Sequence, residues 1–174
     1  MADFKINSTS DLERMLKYIE KHMKFALEDV AKMVEEEIKD YVMRNLYNID
    51  SPTAYTRTYD YINSLTVSKV KQNADGGYTV EIFFDTDKIM PQPPDGEGRW
   101  SRHSSITSYN GGGSGDDVSD MIPVWLEYGT NGGLFDRDGI YAMENTKKIM
   151  EETKYHLYEI KKILEKKGFK IEIV

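Results

Sequence analysis

Cysteine is absent from this chain, which excludes a disulfide framework and any thiolate metal site. Histidine is almost as scarce. His22, His103 and His156 are the only three; they fall on separate segments, and none forms the i, i+4 pair that a helical metal site wants. No apolar run approaches the roughly 20 residues needed to span a bilayer. The polar start MADFKINSTS also lacks the apolar segment of a signal peptide. The reading is a soluble protein made for a reducing cytoplasm, or for something assembled there, with no membrane partner. Positive charge is in deficit too. A net charge of −7 argues against a phosphate-gripping face, but it is compatible with an acidic surface past which DNA slides.

Catalytic signatures are missing as well. There is no nucleophile elbow, Walker loop or zincin motif. Asp116, Asp117 and Asp120 in GGGSGDDVSD lack the alternating oxygens and final Glu of a helix-loop-helix calcium site. Glu35, Glu36 and Glu37 are consecutive on a helix and point in different directions, as a solvated face would have them. The expectation is a protein that is not an enzyme, without metal or cofactor. A dispersed active site would leave no local motif, so a small cytoplasmic enzyme or binding module stands as the alternative.

Tyrosine and methionine, by contrast, are plentiful, with twelve and nine residues. Both fill cores, and both are over-used where a chain builds interfaces. A length of 174 residues suits a single domain over 1–174.

Ser10-Asp11-Leu12-Glu13 reads as a capping box. An apolar stripe follows at Leu12, Leu16, Ile19, Met23, Ala26, Val30 and Met33, and continues through Val34, Ile38, Tyr41, Val42 and Leu46. No Gly or Pro intervenes before Pro52. The pattern predicts a helix of about 36 residues, roughly 54 Å long, too long to be covered on one side by a small domain. It either bends round its own sheet or reaches a neighbouring molecule, which makes Ile19 and Met23 candidate interface residues.

Beyond Pro52, Arg57–Leu65 reads as a short helix and Thr66–Lys71 as a strand. Asn73-Ala74-Asp75-Gly76-Gly77 reads as a turn, and Tyr78–Asp85 as a second strand antiparallel to the first. Periodicity is lost from Lys88 to Asp120. Counted from Asp85, that region holds seven acidic and three basic residues, net −4. A long irregular segment of this kind serves a function or stays disordered. Trp100 and Ile106 within it are large apolar groups, and Trp100 is a candidate anchor against a neighbouring chain.

The stretch IPVWLEYGTNGG, Ile122–Gly133, is a short helix with Pro123 in its first turn and Gly129 in the left-handed position that ends it. A phosphate cradle would need a preceding strand and a Gly-Lys-Ser/Thr or Gly-x-Gly-x-x-Gly phrase, and both are absent. A second long helix, capped by Asp136 or Asp138, carries Ala142, Thr146, Ile149, Met150, Thr153, Leu157, Ile160 and Leu164 on one stripe and ends at Gly168. Phe169, Ile171 and Ile173 alternate with Lys170 and Glu172 as a closing strand over Lys170–Val174. The fold class is therefore α+β, with two long helices on a small, mainly antiparallel sheet and a long irregular loop.

Element order and two phrases resemble the neck and tail-completion proteins that join head to tail in long-tailed double-stranded DNA phages. That family has a long first helix, then a Thr-Gly-x-Leu-x-x-Ser-Ile-like phrase. The match here is Arg57-Thr58-Tyr59-Asp60-Tyr61-Ile62-Asn63-Ser64-Leu65, with Tyr59 where the family has glycine. A Tyr-x-x-Glu-x-Gly-Thr-like phrase is matched by Trp125-Leu126-Glu127-Tyr128-Gly129-Thr130. Tyr141-Ala142 matches the aromatic-small start of the last helix. The likeness runs from Leu12 to Leu164, and the 88–120 loop is longer than in compact members. It implies a virion protein, assembled in the host cytoplasm, that forms a hexameric or dodecameric ring at the head–tail junction. Its partners would be head-completion or connector proteins and tail terminator or tail-tube proteins, with DNA only passing through the channel. A tail terminator or other tail-tube-end protein is the runner-up. Trp100, Trp125, Glu127, Tyr128, Gly129, Thr130, Ile19 and Met23 would lie at partner interfaces.

Overall fold

In the computed structural model the described residues are 8–49, 59–89, 121–130 and 137–173. Trp100, Ile106 and the rest of the 90–120 segment lie outside them. The first helix, α1, spans Thr9–Val42. Its cap stands two residues before the expected one. Ser8 Oγ accepts from the Asp11 N–H at 3.3 Å and donates to the Asp11 carboxylate at 2.8 Å, so the Ser8 hydroxyl caps the helix. At its far end the helix widens into a π-turn over Met43–Tyr47, closed by Asn48 N–H on the Met43 carbonyl at 2.9 Å. Such a turn leaves carbonyls without their i+4 donors. Here the Arg44 and Asn45 side chains donate to the Asp40 and Tyr41 carbonyls, at 3.3 and 2.8 Å.

The remaining elements, in chain order, are α2 (Asp60–Ser64), β1 (Leu65–Val67), β2 (Lys71–Gln72), β3 (Tyr78–Thr79), β4 (Ile82–Phe84), a 3-10 turn (Thr86–Lys88), α3 (Met121–Tyr128), β5 (Gly129–Thr130), β6 (Arg137–Asp138), α4 (Ala142–Thr153) and α5 (Tyr155–Lys166). This is the α+β class expected, with small antiparallel pairings. The hairpin forms with Lys71 opposite Thr79 and Gln72 opposite Tyr78. Each of its two predicted strands is divided, β1 from β2 and β3 from β4. At the break Ser68 N–H donates to the Glu81 carbonyl, and Ser68 Oγ accepts from Glu81 N–H. A side chain there stands in for a ladder bond. β1 pairs with β4 in its own two-stranded sheet.

The chain forms two compact units, each built from separated segments. One comprises Met1–Glu36, Val67–Ile82 and Thr146–Val174, and its buried side chains are Ala26, Val30, Ala31, Val34, Thr146 and Leu164. The other comprises Glu37–Thr66 and Phe83–Asn145, with Ile38, Val42, Tyr61, Ile62, Leu65, Ile89, Ile122, Ile140 and Ala142 buried. Tyr61 stacks on Phe84 with ring centroids 4.3 Å apart.

Two expectations require correction. The second long helix is broken at Lys154, whose φ of 52° places it in the left-handed region between α4 and α5. Nothing in the apolar periodicity reports this break, because the stripe keeps its phase across it. A non-glycine residue there costs roughly 1–2 kcal/mol. Lys154→Gly is therefore expected to raise stability by about 1 kcal/mol, read as a higher urea midpoint at unchanged slope. The closing strand also fails to form, as residues 169–173 are irregular. Phe169 instead packs against Tyr18 and His22 of α1, with centroids 5.6 and 5.8 Å away, and that anchorage takes the place of strand pairing.

A polar cluster joins β3 to α1. Lys24 Nζ lies 2.7 Å from Glu20 Oε1 and 5.2 Å from the centre of the Tyr78 ring. The hydrogen bond from Lys24 holds the Glu20 carboxyl below the usual carboxylate range, and the same bond raises Lys24. A depressed carboxyl contributes stability above its unfolded pKa and loses it as pH falls through the folded one. In a carbon-detected NMR titration Glu20 is expected to titrate below the ordinary range, and Lys24→Met to return it there.

Candidate functional site

The WLEYGT phrase lies at the corner where α3 ends. Gly129 takes φ 85° there, as its place after an apolar helix predicts. The chain then pairs antiparallel with β6, Gly129 opposite Asp138 and Thr130 opposite Arg137. Past β6 it crosses the back of the last turn of α3. Ile140 N–H donates to the Leu126 carbonyl and Tyr141 N–H to the Glu127 carbonyl, both at 2.9 Å. Two carbonyls that a helix end leaves without partners are satisfied in this way.

The Glu127 side chain completes the junction from the other side. It is 5% exposed. Its Oε2 accepts from Ala142 N–H at 2.9 Å, and its Oε1 from Met143 and Glu144 N–H at 2.8 and 3.1 Å. These are the first amides of α4, where a helix presents unpaired donors and the positive end of its dipole. Glu127 is the cap of α4, supplied from fifteen residues upstream. Asp136 lies outside the described residues, and Asp138 sits in β6, so the local cap expected from sequence gives way to a distant one. With both oxygens so engaged, Glu127 acts as a structural anion.

Gly139 makes the crossing possible. A Cβ built on it would overlap the Glu127 carbonyl oxygen and lie 2.5 Å from the Tyr128 carbonyl carbon. No side chain fits that gap.

The expected interface residues separate in the structure. Trp125 is half-buried and Glu127 buried, while Tyr128 is 61% exposed. Thr130 enters the corner through its backbone pairing. Ile19 and Met23 are half-buried on α1, in the other unit. Trp100 is outside the described residues. Sequence reading missed Val124 and Tyr141, both more than two-fifths exposed. Val124 stands one helical turn before Tyr128, and Tyr141 meets the Tyr128 ring edge-to-face at 6.2 Å. The i, i+4 spacing of Val124 and Tyr128 was a usable signal, whereas the approach of Tyr141 depends on the crossing. Among the described residues no three His, Asp or Glu side chains are grouped to hold a metal ion.

The YomN family model matches residues 8–166, nearly the whole of the described chain. This chain belongs to the YomN family. It is accordingly a phage-associated protein. In this YomN-family chain the matched span includes both halves of the corner, Glu127 and the start of α4. No curated protein and no solved structure matches the chain.

Proposed function

We propose that this protein is a structural component of the phage particle. In this reading it forms an oligomeric ring at the head–tail junction that joins the head connector to the tail and lines the DNA passage. The observation that carries this reading is the corner itself. The phrase resembling the neck-protein signature is locked by Glu127 onto the next helix, so it holds Val124, Tyr128 and Tyr141 outward on a rigid support. Exposed aromatics on a pre-organised corner suit a permanent protein contact, because little side-chain entropy remains to be lost on docking. The net charge of −7 suits a wall past which DNA moves without sticking.

Electron microscopy of the purified protein, and of particles made without it, tests the proposal. Rings with a central hole are expected, as are DNA-filled heads lying beside unattached tails of normal length. Tails of irregular length would point instead to a tail terminator. Intact particles in the absence of the protein would overturn the structural reading.

A further inference from the structure

Among the described residues, the first turns of α1 carry exposed apolar side chains. Leu12 is 40% and Leu16 54% exposed, while Ala26, Val30 and Val34 on the same stripe are buried. Phe169, the aromatic that follows α5, reaches α1 at Tyr18 and His22, and Leu12 and Leu16 precede that contact. On the helix surface Leu16 has Leu12 and Ile19 on its stripe, with Glu13 at i−3 and Glu20 at i+4 beside it. The exposed leucines thus have an acidic rim.

The same unit carries the converse arrangement on α5. Tyr158 is 57% exposed. Its helical neighbours one turn on are Lys161 at i+3 and Lys162 at i+4. Lys161 and Lys162 stand 3.7 and 3.1 Å from Glu165 and Glu159, and Glu20 stands 2.7 Å from Lys24. All lie within a single helix; the two α5 pairs are surface pairs of the kind that contributes little and exchanges readily, while Glu20–Lys24 is part-buried.

Resting on the ring proposed above, we infer that the Leu12–Leu16 face of one copy docks on the Tyr158 face of the next, a head-to-tail contact between identical chains. Charge selects this occupant. Apposing two Leu16 faces would set Glu13 and Glu20 against like charges, and apposing two Tyr158 faces would do the same with lysines. Leucine face on tyrosine face buries both apolar centres and faces acid to base around them. A contact between two different patches is heterologous and propagates into a ring when its rotation closes.

Mixing complementary variants tests the inference. Leu16→Asp and Tyr158→Glu alter side chains that are more than half exposed, and circular dichroism is expected to show both folded. By light scattering and native mass spectrometry each variant alone should be monomeric under conditions where the unaltered chain is oligomeric. Their equimolar mixture should form dimers and stop there, since one leucine face and one tyrosine face remain intact. A mixture that stays monomeric, or either variant assembling like the unaltered chain, overturns this contact and leaves the ring standing. An unaltered chain that is monomeric up to its solubility limit overturns the ring and this inference together. Should either variant misfold, charge exchange replaces it. Glu13→Lys with Glu20→Lys, or Lys161→Glu with Lys162→Glu, should each weaken assembly about tenfold. All four changes in one chain should restore it, and absence of restoration refutes the pairing.

Discussion

Replacing Glu127 by alanine is expected to lower the stability of this protein by about 3–4 kcal/mol. Three backbone amides lose their acceptor at once. A helix cap contributes roughly 0.5–2 kcal/mol, and hydrogen bonds to a charged group about 1.5–3 kcal/mol each. The sum is not additive, because water reaches some of the freed donors, and the value given falls well below it. Glu127→Gln should cost less, roughly 1–2 kcal/mol, since one amide oxygen can still serve Met143 and Glu144. Its NH2 then faces the Ala142 N–H, and the favourable charge at the helix start is gone. Urea midpoints for the two variants, with hydrogen exchange at Ala142, Met143 and Glu144, check the prediction. Equal midpoints for the alanine variant and the unaltered chain would show that Glu127 is not the cap.

Gly139→Ala is expected to be at least as damaging, with a loss of about 3 kcal/mol or more. The obstruction is backbone on both sides. The added methyl would meet the Glu127 carbonyl oxygen and the Tyr128 carbonyl carbon and Cα, none of which can move as a side-chain tip would. The chain can accommodate it only by lifting away from α3, which breaks the Ile140 and Tyr141 bonds and draws the start of α4 off Glu127. Gly77→Ala is the control. Its methyl would lie 3.3 Å from the Asp75 carboxylate oxygen, a group able to yield, and the expected cost is below about 1 kcal/mol. A Gly139 variant with the melting behaviour of the control would remove the crossing as a structural requirement.

Tyr59 links the sequence pattern to the backbone. It stands where the resembling family has glycine, and its φ is 60°, a conformation that glycine adopts freely and tyrosine does not. Its ring lies 4.6 Å from that of Tyr47, at the π-turn closing α1. An aromatic pair of this kind contributes roughly 0.5–1.5 kcal/mol, about what the backbone geometry costs. The departure is therefore compensated by a contact that a glycine could not make.

By itself the sequence determined the long first helix, the turn at Asn73–Gly77, the short helix before Gly129 and the α+β class. Each depends on interactions within a few residues: an unbroken 3.6-residue stripe, turn chemistry between alternating strands, and proline and glycine at opposite ends of a helix. Composition showed that cysteine chemistry was closed to the chain. Tertiary structure alone decided that Glu127 would cap a helix fifteen residues away, that Gly139 would have no room for a methyl group, and that Lys154 would divide one apolar stripe between two helices. A carboxylate in a short helix carries no mark of the amides it will meet, and a stripe that keeps its phase conceals a break. These features arise where segments distant in sequence come within hydrogen-bonding or van der Waals distance, and local periodicity carries no record of those distances.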